Sequence, residues 1–147
     1  MIQQVTTQDF PELTDVWEAS VRATHHFLTE ADIQYFRPLI LEQYLYAVDL
    51  ACVKDEAGKI TGFIGVADGK IEMLFIHPAA RGQGIGKALL QYAIIEKGAT
   101  SVDVNEQNEQ AVGFYLHSGF RVTGRCETDS LGKPFPLLFM ELGFKIL

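Results

Sequence analysis

The stretch Ile71-Glu72-Met73-Leu74-Phe75-Ile76-His77-Pro78-Ala79-Ala80-Arg81-Gly82-Gln83-Gly84-Ile85-Gly86-Lys87 decides how this chain folds. It opens with an apolar, β-rich run that Pro78 brings to an end. Three glycines within positions 82–86 then let the backbone turn tightly and approach a ligand closely. A helix is expected next, from about Gly84 to Lys97 with Gly98 as its stop. Ile85, Leu89, Tyr92 and Ala93 share one side of it, and Leu90 and Ile94 widen the apolar surface, so it should lie against a sheet. The first amides of such a helix have no internal acceptor. The turn can therefore hold a phosphate or pyrophosphate, with Arg81 and Lys87 adding positive charge; a plain structural turn is the competing reading.

Two familiar glycine motifs fail here. A nucleotide-binding P-loop needs glycine at position 81 and Ser or Thr at position 88, which are Arg81 and Ala88. The dinucleotide fingerprint starting at Gly82 meets Lys87, and the one starting at Gly84 meets Leu89, where the third glycine belongs.

Upstream, Ile2 to Val5 suits a short strand, and cap residues around Thr7 to Asp9 precede a helix reaching about Thr24, with Leu13, Val16, Trp17, Ser20 and Val21 on one face. Thr29 can cap a second helix bearing Ile33, Phe36, Ile40 and Tyr44, which Pro38 weakens. Leu50 to Val53, Ile60 to Val66 and Ile71 to Ile76 read as successive antiparallel strands, the last two joined by Asp68-Gly69, a hairpin signal. Downstream come a strand from Thr100 to Val104, a helix from Glu109 to Ser118 ended by Gly119, and a strand opening at Phe120. The closing run is Phe135 to Leu142, whose start Pro134 and Pro136 assign to a sheet edge. The order is β-α-α-β-β-β-α-β-α-β-β, an α/β (α+β) arrangement with a central mixed sheet and helices on both faces. The strand–helix–strand in the middle is expected to be a right-handed parallel crossover.

The length of 147 residues suits a single domain over 1–147 with a sizeable core, and a hydrophobic fraction of 48% agrees. A formal charge of −7 gives no general grip on nucleic acid. No targeting segment or long apolar span is evident, so a cytoplasmic protein with no membrane partner is expected. Cys52 and Cys126 are read as reduced packing residues, and neither they nor the four histidines show metal-site spacing, so no metal is expected.

Arg81-x-x-Gly84-x-Gly86 after its strand and His77-Pro78 resembles the acetyl-CoA pyrophosphate motif of the GNAT superfamily of acyl-CoA-dependent N-acyltransferases. Val104-Asn105-Glu106-Gln107-Asn108, followed by Ala111, Phe114-Tyr115 and Gly119-Phe120, resembles their second cofactor motif. The element order matches over nearly the whole chain. The resemblance implies a GNAT-like fold and transfer of an acetyl group from acetyl-CoA to a primary amine of a small-molecule or protein acceptor, by direct attack in a ternary complex.

It also implies roles. Leu74, Phe75 and Ile76 would line the pantetheine arm, with a backbone N–H near Leu74 or Phe75 facing the oxyanion. Arg81, Gly82, Gln83, Gly84, Ile85, Gly86 and Lys87 would meet the pyrophosphate. Tyr115 matches the usual general acid. Asn108 would bind the coenzyme arm or cap its helix. Glu72 and Asp103 stand where a base or water-orienting residue is often kept, Glu72 being read as a polar residue on a buried face. Arg22, Thr24, His25 and Phe27 fall where the acceptor pocket is expected. His77 is read as a strand-end cap and His117 as an outer helix residue. The competing class is a non-catalytic acyl-CoA-binding regulatory module. A monomer and a homodimer are both compatible with the sequence.

Overall fold

In the computed structural model, which describes residues 2–143, the chain falls into two compact units divided between Ala99 and Thr100. The first unit holds β1 (Ile2–Gln4), α1 (Phe10–Thr24), α2 (Glu30–Leu39), β2 (Asp49–Lys54), β3 (Ile60–Ala67), β4 (Lys70–Ile76) and α3 (Ile85–Lys97). The second holds β5 (Ser101–Asn105), α4 (Glu109–His117), β6 (Phe120–Cys126) and β7 (Leu137–Leu142). The element order is the α/β order expected from the sequence.

Strands β1 to β4 pair antiparallel in chain order. The β3–β4 turn is Asp68-Gly69, with φ of 52° and 77°, because a tight hairpin whose twist matches its strands needs two left-handed residues. Helix α1 turns Leu13, Val16, Trp17 and Val21 inward, and they pack in one cluster with Leu45, Leu50, Cys52, Phe63 and Met73. Phe63 on β3 is wholly buried. Truncating such a ring to alanine costs about 3–5 kcal/mol. Glu12 on α1 accepts the N–H of Ile60 at 2.7 Å and so tethers the start of β3.

Helix α2 begins at a reciprocal capping box. Thr29 Oγ1 accepts the N–H of Asp32 at 3.1 Å, and the Asp32 carboxylate accepts the N–H of Thr29 at 2.9 Å. Pro38 falls in the last turn, where its missing N–H and its ring disturb the ladder. The chain then widens into a π-helical turn at Ile40–Tyr44.

In the second unit β7 pairs with β5 and with β6, both antiparallel. This corrects the edge assignment made from Pro134 and Pro136. Both prolines precede the first paired residue, Leu137, so no ladder N–H is lost. The carbonyl of Pro136 accepts the N–H of Glu106 at 2.9 Å.

The cysteines divide. Cys52 is buried, and desolvation pushes its thiol up, as expected of a packing residue. Cys126 is exposed on β6, contrary to that reading. Among the described residues no helix is long and apolar enough to cross a membrane, and no group of three or more His, Cys, Asp or Glu could hold a metal ion.

Candidate functional site

The turn after β4 begins with His77, whose Nδ1 accepts the N–H of Ala79 at 3.1 Å and caps a single 3-10 turn, Pro78–Ala80. Gly82 and Gly84 both have φ of 78°, and a Cβ built on either would meet nothing within 4 Å. Their backbone is thus selected for its left-handed turn and not for a contact inside the protein. Gly84 is the N-cap of α3 and offers no side-chain cap, so the first-turn amides of Ile85, Gly86 and Lys87 lie outside the helix ladder. Arg81, Gly82, Gln83, Gly84 and Lys87 are exposed, and Ile85 and Gly86 are half-buried. Uncapped amides at the positive end of a helix, flanked by two basic residues, fit a pyrophosphate.

Gly62 is a position the sequence reading missed. A Cβ there would sit 2.7 Å from Ile76 Cδ1 and 2.9 Å from Ile85 Cγ2, so its bare backbone lets β4 and the start of α3 close over β3. A glycine inside a strand pattern was the available signal.

Along β4, the N–H of His77 donates to Thr61 O at 2.8 Å. Residue pairs in an antiparallel ladder alternate between bonded and non-bonded, and Phe75 pairs with Phe63 while Leu74 pairs with Ile64. The N–H of Phe75 is therefore committed to β3, and those of Leu74 and Ile76 face the opposite edge. Of the two residues expected near the oxyanion, only Leu74 has its N–H on that edge.

Glu72 departs from its expected setting. Gly65 pairs with Met73 and Val66 with Ile71, which leaves Glu72 as the extra residue of a β-bulge. Ile71 and Met73 on either side are buried, and Glu72 itself is exposed, so the buried face assumed for it is corrected. Gly65 belongs to the same irregularity, since a Cβ on it would come within 2.7 Å of Val48 Cγ2.

At the end of α1, the structure separates Arg22 from Thr24, His25 and Phe27. Arg22 bonds Glu18 at 2.8 Å and, through both terminal nitrogens, Glu30 at 2.8 and 2.9 Å. Arg37 joins Glu18 and Asp15, and an open cleft of about 470 Å³ is lined by Asp15, Glu18, Ala19, Arg22 and Arg37. The Glu30 carboxyl is held down to about 2 by Arg22 first and Gln34 second. His25 instead stacks near Phe27, with ring centroids 5.2 Å apart, and near Phe75 of β4, at 6.4 Å. Burial, with the charges of Arg81 and His26, lowers its imidazole to about 4.

In the second unit Asn108 is buried and caps α4, its Oδ1 accepting the N–H of Ala111 at 3.2 Å. Tyr115, on the inner side of α4, is 5% exposed and makes edge contacts with Phe114 and Phe120, at 5.1 and 5.5 Å. Burial raises its phenol well above the ordinary range, so it holds its proton at every physiological pH. Asp103 is half-buried in β5 and pairs across the ladder with Phe139. His117 is exposed.

Residues 22–134 match the family described as the acetyltransferase (GNAT) domain. The chain is 40% identical over 137 residues to the peptidyl-lysine N-acetyltransferase YjaB of Salmonella typhimurium (strain LT2), covering 93% of this chain and 94% of that protein. It superimposes on the solution structure of apo-form YjaB from Escherichia coli with a TM-score of 0.87 at 38% identity, covering 97% and 96% of the two chains. A likeness of fold alone extends to the PaiA N-acetyltransferase of Thermoplasma acidophilum in complex with coenzyme A. There the TM-score is 0.75 at 21% identity, with 97% and 98% covered.

Proposed function

As a member of the GNAT acetyltransferase family, the chain transfers an acetyl group from acetyl-CoA to an amine, and we propose that this amine is the side chain of a protein lysine. The observation that carries the proposal is the extent of the likeness: 40% identity to a peptidyl-lysine N-acetyltransferase over 93% of the chain, at nearly equal length. A formal charge of −7 favours cationic acceptors over acidic ones.

Acetyl-CoA supplies an activated thioester. The amides of Ile85, Gly86 and Lys87, with Arg81 and Lys87 beside them, hold its pyrophosphate. The edge of β4 away from β3 offers the Leu74 N–H to the carbonyl oxygen as it gains charge. The lysine nitrogen attacks directly: the N–C bond forms, the C–S bond breaks with its electron pair on sulfur, and the nitrogen releases a proton to water. Tyr115 gives its proton to the departing sulfur and regains one from water. An ordinary phenol already stays protonated near neutrality, and burial strengthens that hold. Glu72, exposed at the bulge, and Asp103 in β5 remain the carboxylates offered for conducting the amine proton outward through water.

Incubation with acetyl-CoA and a lysine peptide whose α-amine is blocked tests the proposal. Thiol release together with one acetyl group on the lysine is expected, and transfer confined to α-amines or small polyamines would contradict it. Tyr115→Phe is expected to lower kcat about a hundredfold or more, with coenzyme A affinity within about twofold. An undiminished kcat at saturating substrates would remove Tyr115 from the acid role.

A further inference from the structure

We infer that Gly62 of β3 is a positioning residue for coenzyme A: its bare backbone seats Ile85 against the sheet and so fixes where the first amides of α3 lie. The inference rests on the reading that those amides hold the pyrophosphate.

The glycines around this turn are of two kinds. Gly82 and Gly84 have φ of 78° and open space where a side chain would be. Gly62 is the reverse. It is buried, its φ lies outside the left-handed region, and space alone bars a side chain there. A Cβ on Gly62 would stand 2.7 Å from Ile76 Cδ1, 2.9 Å from Ile85 Cγ2 and 3.3 Å from the Phe75 carbonyl oxygen.

The two isoleucines would answer such a methyl differently. Cδ1 of Ile76 is the far end of its side chain, and a change of χ2 carries it away. Cγ2 of Ile85 is bonded directly to Cβ. It moves only with χ1, and a β-branched residue in a helix has one strongly preferred χ1 well. Crowding at Cγ2 therefore passes to the Ile85 backbone. Ile85 is the first residue of α3, and its N–H is the first of the three amides outside the helix ladder. Gly84 supplies no side-chain cap to steady this turn, which leaves the packing of Ile85 on β3 to locate it. Amides that must meet a pyrophosphate at hydrogen-bond distance tolerate little displacement. Gly62 is covered by Ile76 and Ile85 and acts only through them.

Calorimetry with coenzyme A tests this. Gly62→Ala is expected to weaken binding about tenfold, with the far-ultraviolet circular dichroism unchanged. In kinetics the same variant should raise the acetyl-CoA KM about tenfold while lowering kcat far less, a split that general damage to the fold would not give. In an Ile85→Ala background, where Cγ2 is gone, Gly62→Ala is expected to cost less than about twofold. In an Ile76→Val background, where Cδ1 is gone, it should still cost about tenfold. Equal losses in the wild-type and Ile85→Ala backgrounds, or rescue by Ile76→Val instead, overturn the inference. Ile85→Ala alone is expected to weaken binding about threefold or more by unseating the turn. An unchanged affinity there overturns the inference even if Gly62→Ala does not fold. Absent binding to the wild-type protein overturns the coenzyme reading itself, and wild-type affinity in a folded Gly62→Ala overturns the role of Gly62 alone.

Discussion

The glycine turn at Arg81–Lys87 and the corner between α1 and α2 are both rich in polar groups near a helix end, yet they use them in opposite ways. At the corner the protein satisfies itself: Thr29 and Asp32 cap α2 reciprocally, and Arg22 and Arg37 are bonded to Glu18, Glu30 and Asp15. At the turn, Gly84 leaves the start of α3 without any side-chain cap. A glycine N-cap forgoes only a few tenths of a kcal/mol of stability relative to a capping side chain. The sequence caps α2 with Thr29 and α4 with Asn108, whereas α1 and α3 start without a side-chain cap, and α3 alone starts on a left-handed glycine between two basic residues, Arg81 and Lys87.

Gly84→Asp would break this contrast most severely. It places a carboxylate where the pyrophosphate is held. Coenzyme A affinity is expected to fall about a hundredfold, because a charge-assisted hydrogen bond gives way to repulsion between two anions. The far-ultraviolet circular dichroism should be unchanged, because aspartate tolerates a left-handed backbone.

His25 sharpens the comparison through pH, since burial first, and then the charges of Arg81 in the turn and of His26, keep this imidazole neutral. Its value is about 4 in the folded protein and near 6.5 in the unfolded chain. As pH falls from 6.5 towards 4, the unfolded chain takes up the proton before the native one does. Stability is therefore lost over that window, by about 3 kcal/mol, and the His25 contribution is constant below it. Denaturant melts of His25→Phe should show a flatter decline over the same range, and an identical pH dependence would contradict the cause given.

The caps should matter for stability and not for the ligand. Thr29→Ala is expected to cost about 1 kcal/mol in urea unfolding and to leave coenzyme A binding unchanged. Arg37→Ala, whose partner Asp15 faces water and whose partner Glu18 is half-buried, should cost about 1 kcal/mol or less and lose part of that effect in salt.

Features set by neighbours in the chain were legible in the sequence. Asp68-Gly69 announces its hairpin because both residues tolerate positive φ, Gly98 ends α3 in the left-handed region, and Thr29 finds its partner three residues on. The turn itself was legible for the same reason. Features set by pairing with a distant segment were not. Glu72 belongs to a bulge only because β4 slips against Gly65 and Val66 of β3, and alternation along a single strand cannot show a slip. Pro134 and Pro136 suggested an edge, but where β7 starts depends on β5 and β6. Arg22 stood in the expected acceptor region by sequence, and its capture by Glu30 follows from how the chain turns between α1 and α2.

The most direct measurement is a titration of the isotope-labelled protein with coenzyme A, followed at the backbone amides. Ile85, Gly86 and Lys87 are expected to shift most among helix-start amides, and Glu30 to Asp32 at the capped start of α2 to stay in place. Saturable binding that leaves the three α3 amides unmoved would contradict the claim that this helix start was left uncapped to hold the coenzyme.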